Sequence, residues 1–210
     1  MKTKIKICGI KRQEDINIVN KYKPDFIGFV FAESPRKISF NKALQLKSKL
    51  DKDIISVGVF VNAELNEILK LFKSDIISIA QLHGTEDEKF ITDLKIKAFE
   101  ETGRNLKIIN AIEINDDFID WYHLNISTSD YLLFDSGKGS GKTFNWNIIN
   151  KNIEKPFFLA GGLNIENISS AINETNPFAI DLSSGSETDG VKDPLKIKLI
   201  INELKSINKE

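Results

Sequence analysis

Cysteine and histidine are scarce in this chain: there is one of the first and two of the second in 210 residues. A single thiol, Cys8, excludes an intrachain disulfide framework. His83 and His123, far apart in sequence, are poor material for a soft-ligand metal centre, so no metal and no cofactor is expected. Net charge is also lacking. Charged residues make up 28% of the chain yet nearly cancel to −1, which leaves no basic footprint for nucleic acid and no polyanionic tail. No apolar run approaches the roughly 18 residues that a spanning helix needs, so no membrane segment is expected. The opening Met1-Lys2-Thr3-Lys4 leads into a strand without the apolar core of a signal peptide, and a cytoplasmic location is the expectation. What remains is an enzyme or binding protein for a small ligand, folded as one domain over residues 1–210.

What the chain does have is alternation. Short β-rich apolar runs occur at residues 4–9, 25–31, 54–60, 76–83, 106–112, 131–135, 156–162 and 178–185. Helical patterns separate them. Glu64 to Phe72 carries Leu65, Ile68, Leu69 and Phe72 at helical spacing, and Leu195 to Leu204 does so behind an Asp193-Pro194 start. The end of the helix near Ile96 to Asn105 is not marked, and Asp116 to Leu124 makes a short helix at best. Strict strand-helix alternation implies parallel strands with right-handed crossovers, and eight repeats of it imply a single-domain α/β fold, the closed (β/α)₈ TIM barrel.

In such barrels chemistry sits at the C-terminal ends of the strands. The first strand, Lys4-Ile5-Lys6-Ile7-Cys8-Gly9, points Lys4, Lys6 and Cys8 one way and Ile5 and Ile7 the other, giving a polar face that suits a barrel interior. Cys8 at its tip stands where a reacting group would, although a buried cysteine packed as a small hydrophobe fits the position as well. Later tips bring the loop from Ala32 to Lys37, then Gln81 and His83, Glu113, Asp135, Gly161 and Gly162, and Ser183, Ser184 and Gly185. The last two groups suit a phosphate: bare glycine amides, and a turn or helix start near Ser186 to Asp189, both favour an anion. The same glycines also serve a plain strand-to-helix turn.

These residues resemble one family, the phosphoribosylanthranilate isomerases of tryptophan biosynthesis. The matching stretches are Lys6-Ile-Cys-Gly9, Gly28-Phe-Val-Phe31 with Ser34-Pro-Arg-Lys-Ile38, Val57-Gly-Val-Phe60 and Gln81-Leu-His-Gly84. Leu133-Phe-Asp135, Gly139-Ser-Gly141 with Phe144-Asn-Trp146, Leu159-Ala-Gly-Gly-Leu163, Asp181-Leu-Ser-Ser-Gly-Ser-Glu187 and Gly190-Val-Lys-Asp193 continue the series in collinear order. The resemblance implies an Amadori rearrangement of a small phosphoribosyl substrate, without cofactor, in a monomer or homodimer. Such a reaction needs an acid to protonate the ring oxygen as the sugar opens and a base to remove the C2 proton. Asp135 is the candidate acid, since the apolar run before it would lift its pKa from about 3.9; a turn cap before Gly137 is the competing role. Cys8 is the candidate base, and a thiol of pKa about 8.5 needs a positive neighbour to ionise at pH 7. Lys6 on the same face is the expected neighbour, paired inside the barrel with Asp181 of the adjoining last strand. The resemblance assigns Arg36 to the substrate's carboxylate, for which its planar fork is suited, while an arginine after Pro35 could equally be a surface residue. Gln81 and His83 line the pocket or satisfy one another.

Two departures from the family pattern, Lys138 and Asn145, bear on closure of the loop after the sixth strand and not on the acid or base. Three rival readings stand beside the isomerase. Ser136-Gly-Lys-Gly-Ser-Gly-Lys-Thr143 nearly spells a nucleotide-binding P-loop, but its first required glycine is Ser136. A non-catalytic sugar-phosphate binder would use the same phosphate site. A barrel isomerase of histidine biosynthesis would generally carry an aspartate where this chain has Cys8.

Overall fold

The computed structural model describes residues 2–114, 119–137, 144–149 and 153–209. Among them eight parallel strands close into a barrel in chain order: β1 (Lys4–Cys8), β2 (Phe26–Val30), β3 (Ile55–Phe60), β4 (Ile79–Leu82), β5 (Lys107–Glu113), β6 (Tyr131–Asp135), β7 (Phe157–Leu159) and β8 (Ala179–Leu182). The seam is β8 on β1, with Lys6 in register with Asp181. Outside the barrel run α1 (Gln13–Tyr22), α2 (Phe40–Lys47), α3 (Leu65–Lys73), α4 (Glu88–Thr102), α5 (Trp121–Ile126), α6 (Ile168–Thr175) and α7 (Pro194–Ile207). The expected (β/α)₈ architecture is the one observed.

Local chemistry sets the helix limits. Asp193 caps α7 by accepting from the amides of Leu195 at 2.8 Å and Lys196 at 3.3 Å, with Pro194 in the first turn where its missing N–H costs nothing. The unmarked end of α4 is Gly103, at φ 67°, whose amide closes on the Phe99 carbonyl at 2.8 Å. Asp120 caps α5, which covers the end of the stretch predicted from Asp116 to Leu124 and runs on to Ile126; residues 116–118 of that stretch lie outside the described residues. In α3 the apolar stripe Ile68, Leu69 and Phe72 is buried against the barrel, each such side chain contributing roughly 1.5–3 kcal/mol.

The strand pleat divides the core in two. Ile5 and Ile7 face outward into the helix layer, while the inward residues stack in layers. The lowest layer is aromatic: Phe26 lies 5.4 Å from Phe158 and Tyr131 5.1 Å from Phe178 between ring centroids, with Lys4 Nζ 4.9 Å from the Phe178 ring. Lys6 and Asp181 form the middle of the interior, and Cys8 packs above them with Val30 and Val59. Gly28 is in register with Cys8, and a Cβ there would come within 2.6 Å of the thiol sulfur, so this inward position has to be empty of side chain.

One expectation needs correction and one is narrowed. The strands are shorter than the apolar runs: β4 begins only at Ile79, opposite the first residue of β5, and β7 ends at Leu159, just before the turn that Gly161 and Gly162 make at positive φ. And of the turn or helix start expected near Ser186 to Asp189, the turn is what forms. Ser184–Ser186 make one 3₁₀ turn, after which β9 (Glu187–Thr188) and β10 (Val191–Lys192) form an antiparallel hairpin. Asp189 and Gly190 both have positive φ, 51° and 73°, as a tight two-residue hairpin turn requires. Lys138 and the P-loop-like residues from 138 to 143 lie outside the described residues. Asn145 is described, and its side chain accepts from the Asn147 amide at 3.1 Å, holding the 3₁₀ turn that follows.

Candidate active site

A cavity of about 200 Å³ opens at the C-terminal ends of the strands. Cys8 enters it from β1, Arg36 from the loop after β2, Gln81 and His83 from β4 and its tip, and Asp135 from β6. Gly161, Gly162, Ser183 and Ser184 complete the rim, and Asp181 forms part of the wall. Two residues stand apart. Lys6 is fully buried one layer down, and Gly185 belongs to an adjoining groove that it shares with Gly162, Ser184 and Lys196. Gly161 and Gly162, at φ 86° and 62°, do make the turn that their composition suggests, and they line the cavity while doing so.

Cys8 is 8% exposed, and burial pushes its thiol pKa up. Lys6, and after it Lys192, pull the other way without overcoming burial, and Asp181, which accepts from Lys6 Nζ at 2.7 Å, adds to the rise. The expected pair inside the barrel is present, and Lys6 lowers the thiol pKa by less than burial raises it. At rest Cys8 is a thiol. Burial also opposes the Lys6 ammonium, yet its pKa lies above the ordinary value, with the charge of Asp181 the foremost influence that raises it. Asp181 Oδ1, in contrast to Oδ2, has no hydrogen-bond partner among the described residues although it is buried.

Asp135 is held in the opposite balance from an ordinary surface carboxyl. Burial raises its pKa, with Asp181 adding to the rise, against His83 and the amides of Gly137 and Ser136, which lower it. Its turn-capping role and its place in the cavity thus coexist. His83 Nε2 lies 3.5 Å from Asp135 Oδ2, and Gln81 Nε2 lies 3.3 Å from His83 Nδ1. Gln81 and His83 thus meet through one contact that leads to the carboxyl, while the buried Gln81 Oε1 has no hydrogen-bond partner among the described residues.

Arg36 is 27% exposed at its side chain and grips Glu187 at two points, Nε to Oε1 at 2.9 Å and Nη2 to Oε2 at 2.6 Å. Sequence reasoning assigned Glu187 no role, nor Lys192, which holds the same carboxylate at 2.8 Å. An acidic residue beside a serine-rich tip is a weak signal alone; only the hairpin brings it to Arg36. Among the described residues no group of three or more His, Cys, Asp and Glu could hold a metal ion.

Barrel, mouth and donor set define a (β/α)₈ protein of the enzyme-bearing kind, with titratable side chains around a cavity of small-molecule size. The family model described as N-(5'phosphoribosyl)anthranilate (PRA) isomerase matches residues 5–203. A relative from Endomicrobium trichonymphae, named N-(5'-phosphoribosyl)anthranilate isomerase, is 44% identical over 209 residues, covering 97% of this chain and 99% of its own. Among solved structures, monomers generated from the dimeric isomerase of Thermotoga maritima superpose with a TM-score of 0.82 at 32% identity, covering 97% of this chain and 99% of theirs. An isomerase in complex with reduced 1-(o-carboxyphenylamino)-1-deoxyribulose 5-phosphate superposes with a TM-score of 0.81 at 33% identity and the same coverage. The chain belongs to the N-(5'-phosphoribosyl)anthranilate isomerase family and carries that activity, an isomerisation in tryptophan biosynthesis. This sets aside the nucleotide-binding and non-catalytic readings, and with them the histidine-pathway barrel.

Proposed function

We propose that in this chain Asp135 and Cys8 are the acid and base of the rearrangement, and that the cavity they share binds the phosphoribosyl substrate. Asp135, kept protonated further toward neutral pH by its burial, donates to the ring oxygen as the C1–O bond breaks. The anilino nitrogen supplies the electron pair, and the open chain is a protonated imine. That new positive charge acidifies C2–H and, beside Cys8, favours loss of the thiol's own proton to solvent at the cavity mouth, which leaves the thiolate as base. Cys8 takes the C2 proton, and the enolamine relaxes to the ketone. Arg36 receives the substrate's carboxylate through the fork edge that Glu187 leaves uncommitted. Gly161, Gly162, Ser183 and Ser184 receive the phosphate, with Gly185 shaping the adjoining groove. Gln81 and His83 line the ring between them, and Lys6 and Asp181 support Cys8 from below.

The observation that carries this reading is that Cys8 and Asp135, 127 residues apart in sequence, line one cavity. Fluorescence decay of freshly made phosphoribosylanthranilate tests it. Cys8→Ala and Asp135→Asn are each expected to lose about 10²–10⁴-fold in turnover. Both are expected to keep affinity for the reduced product analogue. Turnover within a few-fold of wild type in either variant would remove that residue from the chemistry. We place the protein in the cytoplasm as one barrel domain over residues 1–210, and the dimeric Thermotoga relative makes a homodimer the first assembly to test by light scattering.

A further inference from the structure

Arg36 does not hang loose at the mouth. Its stem crosses Gly9 at the tip of β1, where a Cβ would come within 3.3 Å of Arg36 Cγ and Nε. Its guanidinium is clamped edge-on by Glu187 at 2.9 and 2.6 Å. Glu187 is 7% exposed and faces Lys192, 3% exposed, across the β9–β10 hairpin. Lys192 spends its three donors on Glu187 Oε1 at 2.8 Å, the Ser183 carbonyl at 3.0 Å and Ser186 Oγ at 3.1 Å. Two cations thus share one carboxylate, and the cluster keeps a net positive charge. Nη1 of Arg36 and the second hydrogen on Nη2 have no partner among the described residues, in a side chain that lines the cavity.

An arginine otherwise gives up considerable rotamer freedom when it binds a ligand, and a site that orders it beforehand avoids that loss. Resting on the reading that Arg36 takes the substrate's carboxylate, we propose that Glu187 and Lys192 are positioning residues: the β9–β10 hairpin presents the outer edge of Arg36 to that carboxylate. Through Ser183 and Ser186 it also ties Arg36 to the loop after β8. The carboxylate end and the phosphate end of the substrate are then gripped by one connected strap, which makes the hairpin a determinant of specificity for a carboxylated arylamine.

Calorimetric binding of two stable ligands tests this: reduced 1-(o-carboxyphenylamino)-1-deoxyribulose 5-phosphate and the same compound with a plain phenylamino group. Glu187→Gln is expected to weaken the carboxylated ligand about tenfold or more while leaving the phenyl ligand within about twofold. Equal weakening of both ligands, or of neither, overturns the proposal. Arg36→Met is measured alongside and is expected to weaken the carboxylated ligand alone. If it does not discriminate, the carboxylate reading of Arg36 is what fails; if it does and Glu187→Gln does not, only the positioning role fails. Should Glu187→Gln not fold, Glu187→Gln/Lys192→Met removes both charges of the buried pair and is judged by the same criterion.

Discussion

Lys6 Nζ lies 2.7 Å from Asp181 Oδ2 inside the barrel, two residues along β1 from the Cys8 thiol. From there Lys6 lowers the pKa of the thiol while Asp181 raises it. Lys6→Met leaves Asp181 buried without its partner, and breaking such a pair costs about 3–5 kcal/mol. The thiol, facing an uncompensated carboxylate, is expected to titrate still higher. Denaturant unfolding reads the first effect, and iodoacetamide alkylation rate against pH reads the second. Lys6→Met/Asp181→Leu is expected to recover most of the stability; an alkylation profile identical to wild type in the single variant would remove Lys6 from the thiol's electrostatics.

Gly28 leaves the space that the Cys8 sulfur occupies, with a would-be Cβ only 2.6 Å away. Gly28→Ala forces the thiol out of that position on a strand held by ladder hydrogen bonds on both sides. Turnover is expected to drop about 10²-fold, as for a misplacement of about 1 Å, with the far-ultraviolet circular dichroism spectrum unchanged. Full activity would show that the sulfur has room to spare.

His83, 3.5 Å from Asp135, lowers the pKa of that carboxyl against the burial that raises it. With His83→Ala the lowering influence is gone, so Asp135 keeps its proton to higher pH. The limb of the kcat/KM profile that reports Asp135 is then expected to move upward in pH; movement downward would show that His83 acts on Asp135 in some other way. Gln81→Met should shift it less, since Gln81 reaches Asp135 only through the imidazole.

Glu187 titrates at about 2, well below an ordinary carboxyl: burial would raise it, but the hydrogen bonds from Arg36 and the charge of Lys192 prevail. A carboxyl depressed on folding adds stability that is complete above the unfolded range near 4.5 and is lost as pH falls toward 2. Urea midpoints of the wild type should therefore fall across that window, and those of Glu187→Gln/Lys192→Met should fall less. Parallel acid profiles would contradict it.

Several parts of the site were legible before any coordinates. Inward parity along 4–8 placed Lys6 and Cys8 on one face, and strand order put Asp181 beside Lys6, because pleat and seam follow from periodicity and strand count alone. Helix ends were legible where a cap was spelled out, as at Asp193-Pro194, and not where a lone glycine, Gly103, made the stop. Short-range patterns carry local geometry, so what they conveyed was the barrel and its list of tips.

The chain's own pattern of apolar runs and helical stripes determined a closed (β/α)₈ barrel with Cys8 and Asp135 among its strand ends. Tertiary structure alone decided how charge is spent there. Lys6 is neutralised by Asp181, Asp135 is lifted by burial and restrained by His83, and Arg36 is committed on one edge to Glu187. The reason is physical: periodicity fixes which way a side chain points, whereas a pKa or an ion pair depends on distances between groups up to 175 residues apart in sequence, and only closure of the ring sets those.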